Sequence, residues 1–255
     1  MMQNAILNGK RIYFASDFHL GIPDYRQSRL REDIIVSWIH TIKQDALELH
    51  LVGDVFDFWF EYRHVAPKGF IRLLASLAQL TDNGIQVHLH TGNHDMWMFG
   101  YLEQEIGIIV HHQPQVRIWD GKKVYISHGD GLGPGDYSYK IIKRIFRNSF
   151  FQWCYARLHP NLAFGIAQYL SRQSRKANFD ANQSYLGDDK EWLVQYCQSV
   201  LATTHYDYMV FGHRHLPINI EIKGSTYINL GDWIRYQTYA TFDGACMQLH
   251  TYRLG

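Results

Sequence analysis

The sequence predicts an α/β fold with two β layers, and three observations indicate it. Through the first half of the chain, short apolar runs rich in β-branched residues alternate with segments of helical period, which is the pattern of βαβ units. After Ser199 the pattern returns to strands alone, which indicates a second β layer. The length of 255 residues and the 46% hydrophobic composition suit one large core. We therefore expect a single domain over residues 1–255.

Four strands are expected in the first half, and each ends at a motif of polar, metal-capable side chains: Ile12–Ala15, Leu49–Val52, Gln86–His90 and Val124–Ser127. Between them, apolar residues recur at helical spacing from Leu30 to Ile42 and from Phe70 to Leu77, so we expect two crossover helices. Five further strands account for the second layer: Tyr208–Phe211, Ile218–Ile222, Thr226–Leu230, Tyr239–Phe242 and Cys246–Tyr252.

A basic segment interrupts this pattern from Tyr137 to Phe179. It contains eight lysine or arginine residues and no aspartate or glutamate. Its apolar residues recur at a spacing typical of two or three amphipathic helices. We therefore expect a helical insertion over residues 137–180.

Composition and local patterns argue against several classes of protein. No apolar run approaches the roughly 18 residues of a membrane span, and residues 1–11 lack a signal-peptide pattern, so a cytoplasmic location is expected. The net charge of +1 provides no global field for nucleic acid, and no protein partner is inferred. The three cysteines stand outside any CxxC pattern, which argues against a disulfide framework or a thiolate metal site. Fifteen histidines are many for this length, and histidine is the commonest metal ligand near neutral pH.

Five short motifs carry the residues that a metal site needs, and each lies just past a predicted strand: Asp17-Phe18-His19, Gly53-Asp54-Val55-Phe56-Asp57, Gly92-Asn93-His94-Asp95, His128-Gly129-Asp130 and Gly212-His213-Arg214-His215. Side chains from distant positions converge at the strand ends of an α/β sheet, so one shared site is expected. Residues i and i+2 of a strand face the same side, so Asp17 and His19 are expected to reach one location. The same holds for His213 and His215. Carboxylate, imidazole and amide ligands suit Mn²⁺, Fe or Zn²⁺.

In their order, the five motifs resemble the pattern DxH, GDxxD, GNH(D/E), H and GHxH of the calcineurin-like metallophosphoesterase superfamily. The resemblance implies a layered α-β-β-α sandwich and two divalent metal ions, with Mn²⁺ as the expected metal and Fe or Zn²⁺ as alternatives. It also implies the metal ligands: Asp17, His19 and His215 on the first ion, Asn93, His128 and His213 on the second, and Asp54 bridging both. Two ions held in this way can activate a water for attack on phosphorus.

Two residues beside the implied ligands are candidate catalytic residues. The same resemblance places His94 next to the substrate as a proton donor or transition-state contact, with Asp95 as the residue that orients its ring. Asp57 has two open roles, because its carboxylate can either orient a ligand or support the local turn.

Four histidines lie outside the motifs. His88 and His90 alternate within a predicted strand, so they are expected to pack and not to bind metal. His111 and His112 have no matching motif, and both are expected at the surface or in a turn.

Within the superfamily, the chain resembles the UDP-2,3-diacylglucosamine hydrolase family of lipid A biosynthesis. The likeness rests on Asp17 to Gly21, on Gly53 to Trp59, on the insertion directly after His128-Gly129-Asp130, and on the polar run Ser174 to Asn178. It implies hydrolysis of the pyrophosphate bond of UDP-2,3-diacylglucosamine to UMP and 2,3-diacylglucosamine 1-phosphate, with the insertion as a helical lid over the acyl chains. The implied substrate contacts are Asn93, His94, Ser174, Arg175, Asn178 and His213.

One position departs from that family, which usually carries arginine where this sequence has His94. The histidine leaves room for another substrate, such as a different nucleotide-linked or phospholipid-like diester. A nuclease or cyclic-nucleotide phosphodiesterase with the same metals is a further alternative, in which the basic insertion follows a nucleic-acid backbone. A non-catalytic scaffold is the alternative from another class of protein.

The basic insertion itself has two interpretations. Lysine and arginine on amphipathic helices often form a solvated face. Eight cations with aromatic residues and no anions also suit anionic headgroups or a diphosphate, and each basic residue near a membrane contributes about 1 kcal/mol. We expect the second interpretation, and with it a nucleotide-linked lipid substrate and peripheral attachment to the inner face of a bacterial inner membrane.

Overall fold

Twelve strands form two six-stranded sheets in the computed structural model, which describes residues 4–134, 137–178, 184–185 and 187–254. In chain order they are β1 Asn4–Ala5, β2 Arg11–Ala15, β3 Ala46–Val52, β4 Gln86–His90, β5 Ile109–His111, β6 Gln115–Trp119, β7 Lys122–Ser127, β8 Tyr208–Phe211, β9 Pro217–Ile222, β10 Ser225–Leu230, β11 Thr238–Phe242 and β12 Met247–Thr251. The first sheet has the strand order β12-β11-β2-β3-β4-β5, and the second sheet has the order β1-β6-β7-β8-β10-β9.

Seven helices are seen in the same residues: α1 Tyr25–Ile42, α2 Ile71–Asp82, α3 Tyr101–Ile106, α4 Tyr137–Phe146, α5 Ser149–Tyr155, α6 Pro160–Asn178 and α7 Trp192–Leu201. Helices α1 and α2 cover the outer face of the first sheet, where Trp38 and Leu73 belong to one buried cluster with Leu51 of β3. Helix α7 covers the outer face of the second sheet, where Leu193 packs in a cluster with Met209 of β8.

The two sheets face each other across a further buried cluster. Phe14 and Val52 contribute to it from the first sheet, and Val124, Ile126 and Val210 contribute from the second. Apolar side chains on both inner faces account for this packing, since stacked sheets bury alternate residues of each strand. The layers therefore run α-β-β-α, which confirms the predicted fold class.

The direction of the strands decides where the motifs meet. Strands β2, β3 and β4 run parallel, and so do β7, β8 and β10. Parallel strands end at the same edge of a sheet, where the residues that follow them come together. The five motifs follow β2, β3, β4, β7 and β8, so both sheets deliver motif residues to one edge of the sandwich.

All nine predicted strands are present, with ends that differ from the prediction by at most three residues. The sequence did not predict β1, β5 or α3, which have two, three and six residues, too few to establish a period. It also did not predict β6 or α7.

Strand β5 corrects one expectation about the histidines. His111 belongs to β5, and its ring stacks on that of His90 with centroids 4.8 Å apart, so its predicted surface or turn position is wrong. His112 is exposed in a bend, as expected. His88 and His90 are buried, which confirms that they pack.

Helices α4, α5 and α6 occupy the predicted basic insertion. Their number agrees with the two or three amphipathic helices expected there. Within the described residues, no helix combines the length and the hydropathy that a membrane crossing requires. The role of the insertion as a lid stays a prediction.

Candidate dinuclear metal centre

Backbone hydrogen bonds hold the motif loops in pairs. After β2 and β3, the N–H of His19 donates to the carbonyl of Asp54 at 2.9 Å. After β7 and β8, the N–H of Gly212 donates to the carbonyl of His128 at 3.1 Å. Each sheet therefore presents a pair of motif loops as one rigid edge.

Five of the seven implied ligands have a backbone in the left-handed region, with φ between 43° and 65°: Asp17, His19, Asp54, His213 and His215. Residues other than glycine rarely adopt this conformation, which costs about 1–3 kcal/mol each and accumulates at functional sites. Strand β2 ends at Ala15 and β8 ends at Phe211, so these ligands lie beyond the strands. The expectation that the strand pleat brings i and i+2 together is therefore wrong, because left-handed turns direct the side chains.

Asp17, His19 and His215 form the first ligand group. Nε2 of His19 lies 3.2 Å from Nε2 of His215. Oδ1 of Asp17 lies 3.3 Å from Nε2 of His215 and 3.6 Å from Nε2 of His19. Ligand atoms around one tetrahedral zinc ion stand about 3.3 Å apart, so these three side chains can share one divalent ion.

Asp54, Asn93, His128 and His213 form the second group. Nε2 of His128 lies 3.2 Å from Oδ2 of Asp54 and 3.2 Å from Oδ1 of Asn93. One ligand atom each of Asp54, His128 and His213 lies within 4.8 Å of the others. The same Oδ2 of Asp54 lies 3.7 Å from Nε2 of His19, so Asp54 stands between the two groups in the position of a bridging ligand.

The electrostatics of the centre favour cations. Asp17 and Asp54 are 0% and 1% exposed, and Oδ1 of Asp17 has no hydrogen-bond partner among the described residues. Burial raises the pKa of Asp17, but the charge of His215 and the adjacent ring of His19 outweigh it and lower the pKa to about 2. Buried ionised carboxylates require positive counter-charge. Oxygen and imidazole donors at this spacing fit divalent ions such as Mn²⁺, Fe²⁺ or Zn²⁺.

Comparison with known proteins decides the family. The family model of calcineurin-like phosphoesterases matches residues 10–217. The chain belongs to the calcineurin-like phosphoesterase family. Membership, together with the clustered Asp and His ligands, identifies it as a metal-dependent hydrolase.

Two relatives are similar to this phosphoesterase over most of their length. One is the UDP-2,3-diacylglucosamine hydrolase of Porphyromonas gingivalis, which is 34% identical over 254 residues that cover 94% of this chain and 97% of the relative. The other is the UDP-2,3-diacylglucosamine hydrolase of Tolumonas auensis, which is 27% identical over 222 residues that cover 84% and 88%.

Two carboxylates of this phosphoesterase lie behind the candidate ligands, each near the outer ring nitrogen of a histidine. Oδ1 of Asp57 lies 3.5 Å from Nδ1 of His19, and Oδ2 of Asp232 lies 3.4 Å from Nδ1 of His215. A metal-binding imidazole typically places its other ring nitrogen on such a partner, which fixes the tautomer and the ring orientation. Of the two roles left open for Asp57, the geometry favours orienting a ligand.

Sequence reasoning missed two residues that support the centre. Asp232 follows Gly231 just past β10, in the same arrangement as Gly53 and Asp54 past β3, so a search of every strand end for Gly-Asp finds it. The buried guanidinium of Arg31 donates to the carbonyl of His19 at 2.6 Å. Arg31 carries no such signal, because it lies in α1 among other charged residues.

Asp95 has a role that differs from the predicted one. Its buried carboxylate accepts hydrogen bonds from the backbone N–H groups of Gly92 at 2.8 Å and Val55 at 2.8 Å. Nδ1 of His94 instead contacts the carbonyl of Asp57 at 2.9 Å. The expectation that Asp95 orients the His94 ring is therefore wrong. Asp95 ties the loop after β4 to the loop after β3.

His94 stands at the border between the centre and helix α6. Its ring centroid lies 4.9 Å from that of His19, and Oγ of Ser171 lies 3.4 Å from its Nδ1. Ser171 also donates to Oδ2 of Asp57 at 3.1 Å. Helix α6 thus reaches the centre through a residue that the sequence did not single out. Three predicted substrate contacts on α6 have side chains outside the described part of the chain: Ser174, Arg175 and Asn178.

Asp130 of the fourth motif anchors helix α4. The hydroxyl of Tyr139 donates to Oδ2 of Asp130 at 2.6 Å, and Nζ of Lys143 donates to its carbonyl at 2.7 Å. Near the other end of α4, Nε1 of Trp97 donates to the carbonyl of Phe146 at 2.8 Å. The insertion is therefore bound to the same loops that carry the ligands.

Gly92 lies too close to Asp54 to carry a side chain, because an added Cβ would be 2.1 Å from Oδ1 and 2.6 Å from the backbone N of Asp54. We expect Gly92→Ala to displace the bridging carboxylate and to lower kcat about 10²-fold, which corresponds to about 2.7 kcal/mol. Hydrolysis of bis(p-nitrophenyl) phosphate with Mn²⁺ measures this. The matched control is Gly165→Ala in α6, where the added Cβ meets open space and activity is expected to persist. Equal losses in both variants would contradict the prediction.

Proposed function

We propose that this chain hydrolyses the pyrophosphate bond of UDP-2,3-diacylglucosamine and releases UMP and 2,3-diacylglucosamine 1-phosphate. The similarity to the Porphyromonas gingivalis relative carries the proposal, because it covers 94% of this chain and so extends well beyond the short metal-binding motifs. A similarity confined to the motifs would support only the general chemistry, since one fold serves many substrates.

The chemistry adds one water across the bond between the two phosphates. The seven candidate ligands would hold two divalent ions, which would lower the pKa of a water and neutralise charge on the phosphoryl oxygens. The chain contributes fixed ligand positions, because left-handed turns set the backbone and Asp57 and Asp232 lie near the outer ring nitrogens of His19 and His215. His94 adds a polar group next to the ligands. This scheme needs no covalent protein nucleophile.

Apolar groups beside the centre support a lipid-linked substrate. The base of the insertion packs on the loops after β3 and β4, where Phe58 lies edge-on to Phe164 with ring centroids 4.9 Å apart. Trp97 and Tyr155 have ring centroids 4.9 Å apart in the same region. Phe58, Trp97 and Tyr155 belong to one apolar cluster, in which Trp97 is buried and the other two are partly buried. Apolar surface of the kind that binds acyl chains therefore lies next to the centre.

The direct test is an assay for UMP. Purified protein stripped with a chelator receives Mn²⁺ and UDP-2,3-diacylglucosamine, and UMP and the acylated sugar phosphate are expected in equal amounts. Parallel reactions with Fe²⁺ and Zn²⁺ test the proposed preference for Mn²⁺. If no UMP forms but bis(p-nitrophenyl) phosphate is hydrolysed, the proposed substrate is wrong and the enzyme acts on another phosphodiester. Absence of both activities with every metal would overturn the proposed enzyme.

We also propose that the insertion attaches this chain to an anionic membrane surface, at the inner face of a bacterial inner membrane. The insertion exposes large apolar side chains, each between 53% and 62% accessible: Ile141, Phe150, Trp153, Leu162 and Leu170. Arg144, Arg147 and Arg157 are exposed in the same segment. Apolar side chains combined with basic residues are typical of surfaces that bind the membrane interface.

Flotation with liposomes tests this attachment. We expect recovery with vesicles that contain phosphatidylserine to exceed recovery with neutral phosphatidylcholine vesicles several-fold, because each basic residue contributes about 1 kcal/mol. The double variant Phe150→Ser and Trp153→Ser is expected to lose flotation. Ile71→Ser is the matched control, since Ile71 is 74% exposed on α2, outside the insertion. Equal recovery from both kinds of vesicle would defeat the proposal.

A further inference from the structure

A second group of histidines lies inside the sandwich, apart from the dinuclear centre. We call it the interior histidine cluster, and it consists of Glu48, His50, His88, His90 and His111 on β3, β4 and β5. The first four are at most 7% exposed. Four imidazoles and a carboxylate in one buried group are unusual, because such side chains are seldom buried without a specific partner.

Three members of the cluster have the geometry of a metal site. Oε2 of Glu48 lies 3.0 Å from Nε2 of His50 and 3.5 Å from Nε2 of His88. The ligand atoms of these three residues all lie within 4.8 Å of one another. Bonds of about 2.0–2.1 Å around a tetrahedral zinc ion separate its ligands by about 3.3 Å. The separations of Oε2 from the two imidazole nitrogens are therefore close to those of ligands that share one ion.

Each of the three side chains also has a hydrogen-bond partner at the polar atom that it does not offer to the ion. Nδ1 of His50 lies 3.0 Å from Nε2 of His90, and Nδ1 of His88 lies 3.0 Å from Nε2 of His111. These partners correspond to the outer hydrogen bonds that orient the ligands of established metal sites.

The carboxylate has a comparable outer partner. Nε1 of Trp119 donates to Oε1 of Glu48 at 3.1 Å. That bond leaves Oε2, the oxygen nearest the two imidazoles, as the atom available to an ion.

One ring atom of the cluster marks the place of the ion. Nε2 of His88 is buried and has no hydrogen-bond partner among the described residues. Burial lowers the pKa of neighbouring His50 to about 3, so its ring is neutral, which is the form that binds metals. A buried polar atom without a partner is costly, and coordination to an ion removes that cost.

A cavity lies beside the outer members of the cluster. It has a volume of about 170 Å³ and is lined by His90 and His111 of the cluster and by His128 and Asp130 of the fourth motif. The cavity therefore reaches the two histidines that contact His50 and His88, on the side of the sandwich that holds the dinuclear centre.

We propose that Glu48, His50 and His88 form a third divalent-metal site, which takes Zn²⁺ or a similar transition-metal ion. Two imidazole nitrogens and one carboxylate oxygen are a donor set that zinc prefers. In the ion-free arrangement Glu48 accepts the proton on Nε2 of His50. An ion replaces that proton, and the ring then carries its proton on Nδ1, where His90 accepts it. The site is independent of the phosphoester that the enzyme cleaves.

Arg117 on β6 opposes the ion. Its Nη2 lies 3.3 Å from Nδ1 of His88, and a guanidinium can only donate there. When it does, Nδ1 of His88 is the acceptor, and an ion at Nε2 has to compete with this arrangement of the ring. The positive charge of the Arg117 guanidinium also repels the ion. We therefore expect Arg117→Gln to bind Zn²⁺ at this site about tenfold more tightly.

Counting bound zinc tests the proposal. The full chain is loaded with Zn²⁺, washed with a weak chelator, and analysed for zinc per chain by mass spectrometry. The wild type is expected to retain one ion more than His88→Gln. His205→Gln, which replaces an exposed histidine, is the matched control and is expected to retain the wild-type number. An equal number in the wild type and a folded His88→Gln would overturn the site.

A second experiment measures zinc affinity in a variant that keeps all three proposed ligands, so it does not depend on the folding of a ligand variant. Competition with a coloured chelator measures the dissociation constant of each ion in the wild type and in Arg117→Gln. One ion is expected to bind about tenfold more tightly in the variant, and the others are expected to remain unchanged. Identical constants for every ion would overturn the proposal. Neither readout uses the substrate, so failure here is distinguishable from failure of the proposed hydrolase activity.

Discussion

Replacement of Asp54 by asparagine is expected to lower kcat by about 10³-fold or more. Oδ2 of Asp54 lies 3.7 Å from Nε2 of His19 and 3.2 Å from Nε2 of His128, so it lies between the two groups of candidate ligands. Asparagine keeps the shape but removes the negative charge that two adjacent cations require. Metal ions supply several kcal/mol of charge stabilisation to a phosphoryl transition state, and about 4 kcal/mol corresponds to 10³-fold in rate.

Steady-state kinetics on bis(p-nitrophenyl) phosphate and a metal count on the same samples measure the effect of Asp54→Asn. The matched control is Asp82→Asn at the end of α2, where the carboxylate is exposed and activity is expected to persist. Asp57→Asn is expected to be intermediate, with a loss of about 10–100-fold, because Asp57 acts on the metal through His19. A fully active Asp54→Asn enzyme that retains two ions would remove Asp54 from the bridging position.

The sequence predicts that the motif residues come together, because each one lies next to a strand end along the chain. A strand can be recognised from a short stretch of sequence, and the same stretch locates the residue that follows it. Strands β2, β3 and β4 are parallel neighbours. Their carboxyl ends therefore lie at one edge of the sheet, and the residues that follow them lie close together. The shared location of Asp17, Asp54 and Asn93 follows in this way, and their roles as metal ligands follow from the family resemblance.

The residues that support the ligands could not be predicted in the same way, because their partners are distant along the chain. Asp95 bonds to Val55, 40 positions away, and the neighbouring sequence contains no sign of that contact. Glu48 bonds to Trp119 across 71 positions and two sheets. Alternation within β4 predicts that His88 is buried, but only the stacking of the sheets places Glu48 beside it.

The motif residues also link the insertion to the centre. Asp130 directly follows the motif glycine after His128, and it holds Lys143 and Tyr139 of α4. Asp57 contacts His19 and accepts a hydrogen bond from Ser171 of α6. Two motifs therefore have one residue in the candidate metal centre and another that contacts the insertion. A movement of α4 or α6 is expected to shift the candidate ligands through the carboxylates of Asp130 and Asp57.

His94→Ala is expected to slow the cleavage of phosphodiesters with poor leaving groups about 10²-fold, and those with p-nitrophenolate less than about tenfold. The carbonyl of Asp57 only accepts hydrogen bonds, so its 2.9 Å contact with Nδ1 of His94 places a proton on Nδ1, and Nε2 donates a proton to a leaving group only when the ring is an imidazolium with a second proton. General acid catalysis contributes about 10²–10⁴-fold and matters most when the leaving group is strongly basic. A weakly basic phosphate leaving group gains less from it.

A series of aryl and alkyl phosphodiesters, whose leaving groups span a wide range of pKa, measures this dependence in the wild type and in His94→Ala. The variant is expected to give the steeper fall of rate with leaving-group pKa. His94→Arg separates charge from proton transfer, because arginine stabilises an anion without giving up a proton near neutral pH. It is expected to restore cleavage of pyrophosphate substrates and not of alkyl diesters. Equal slowing of all substrates by His94→Ala would exclude proton donation and leave His94 as a contact that positions the phosphoryl group.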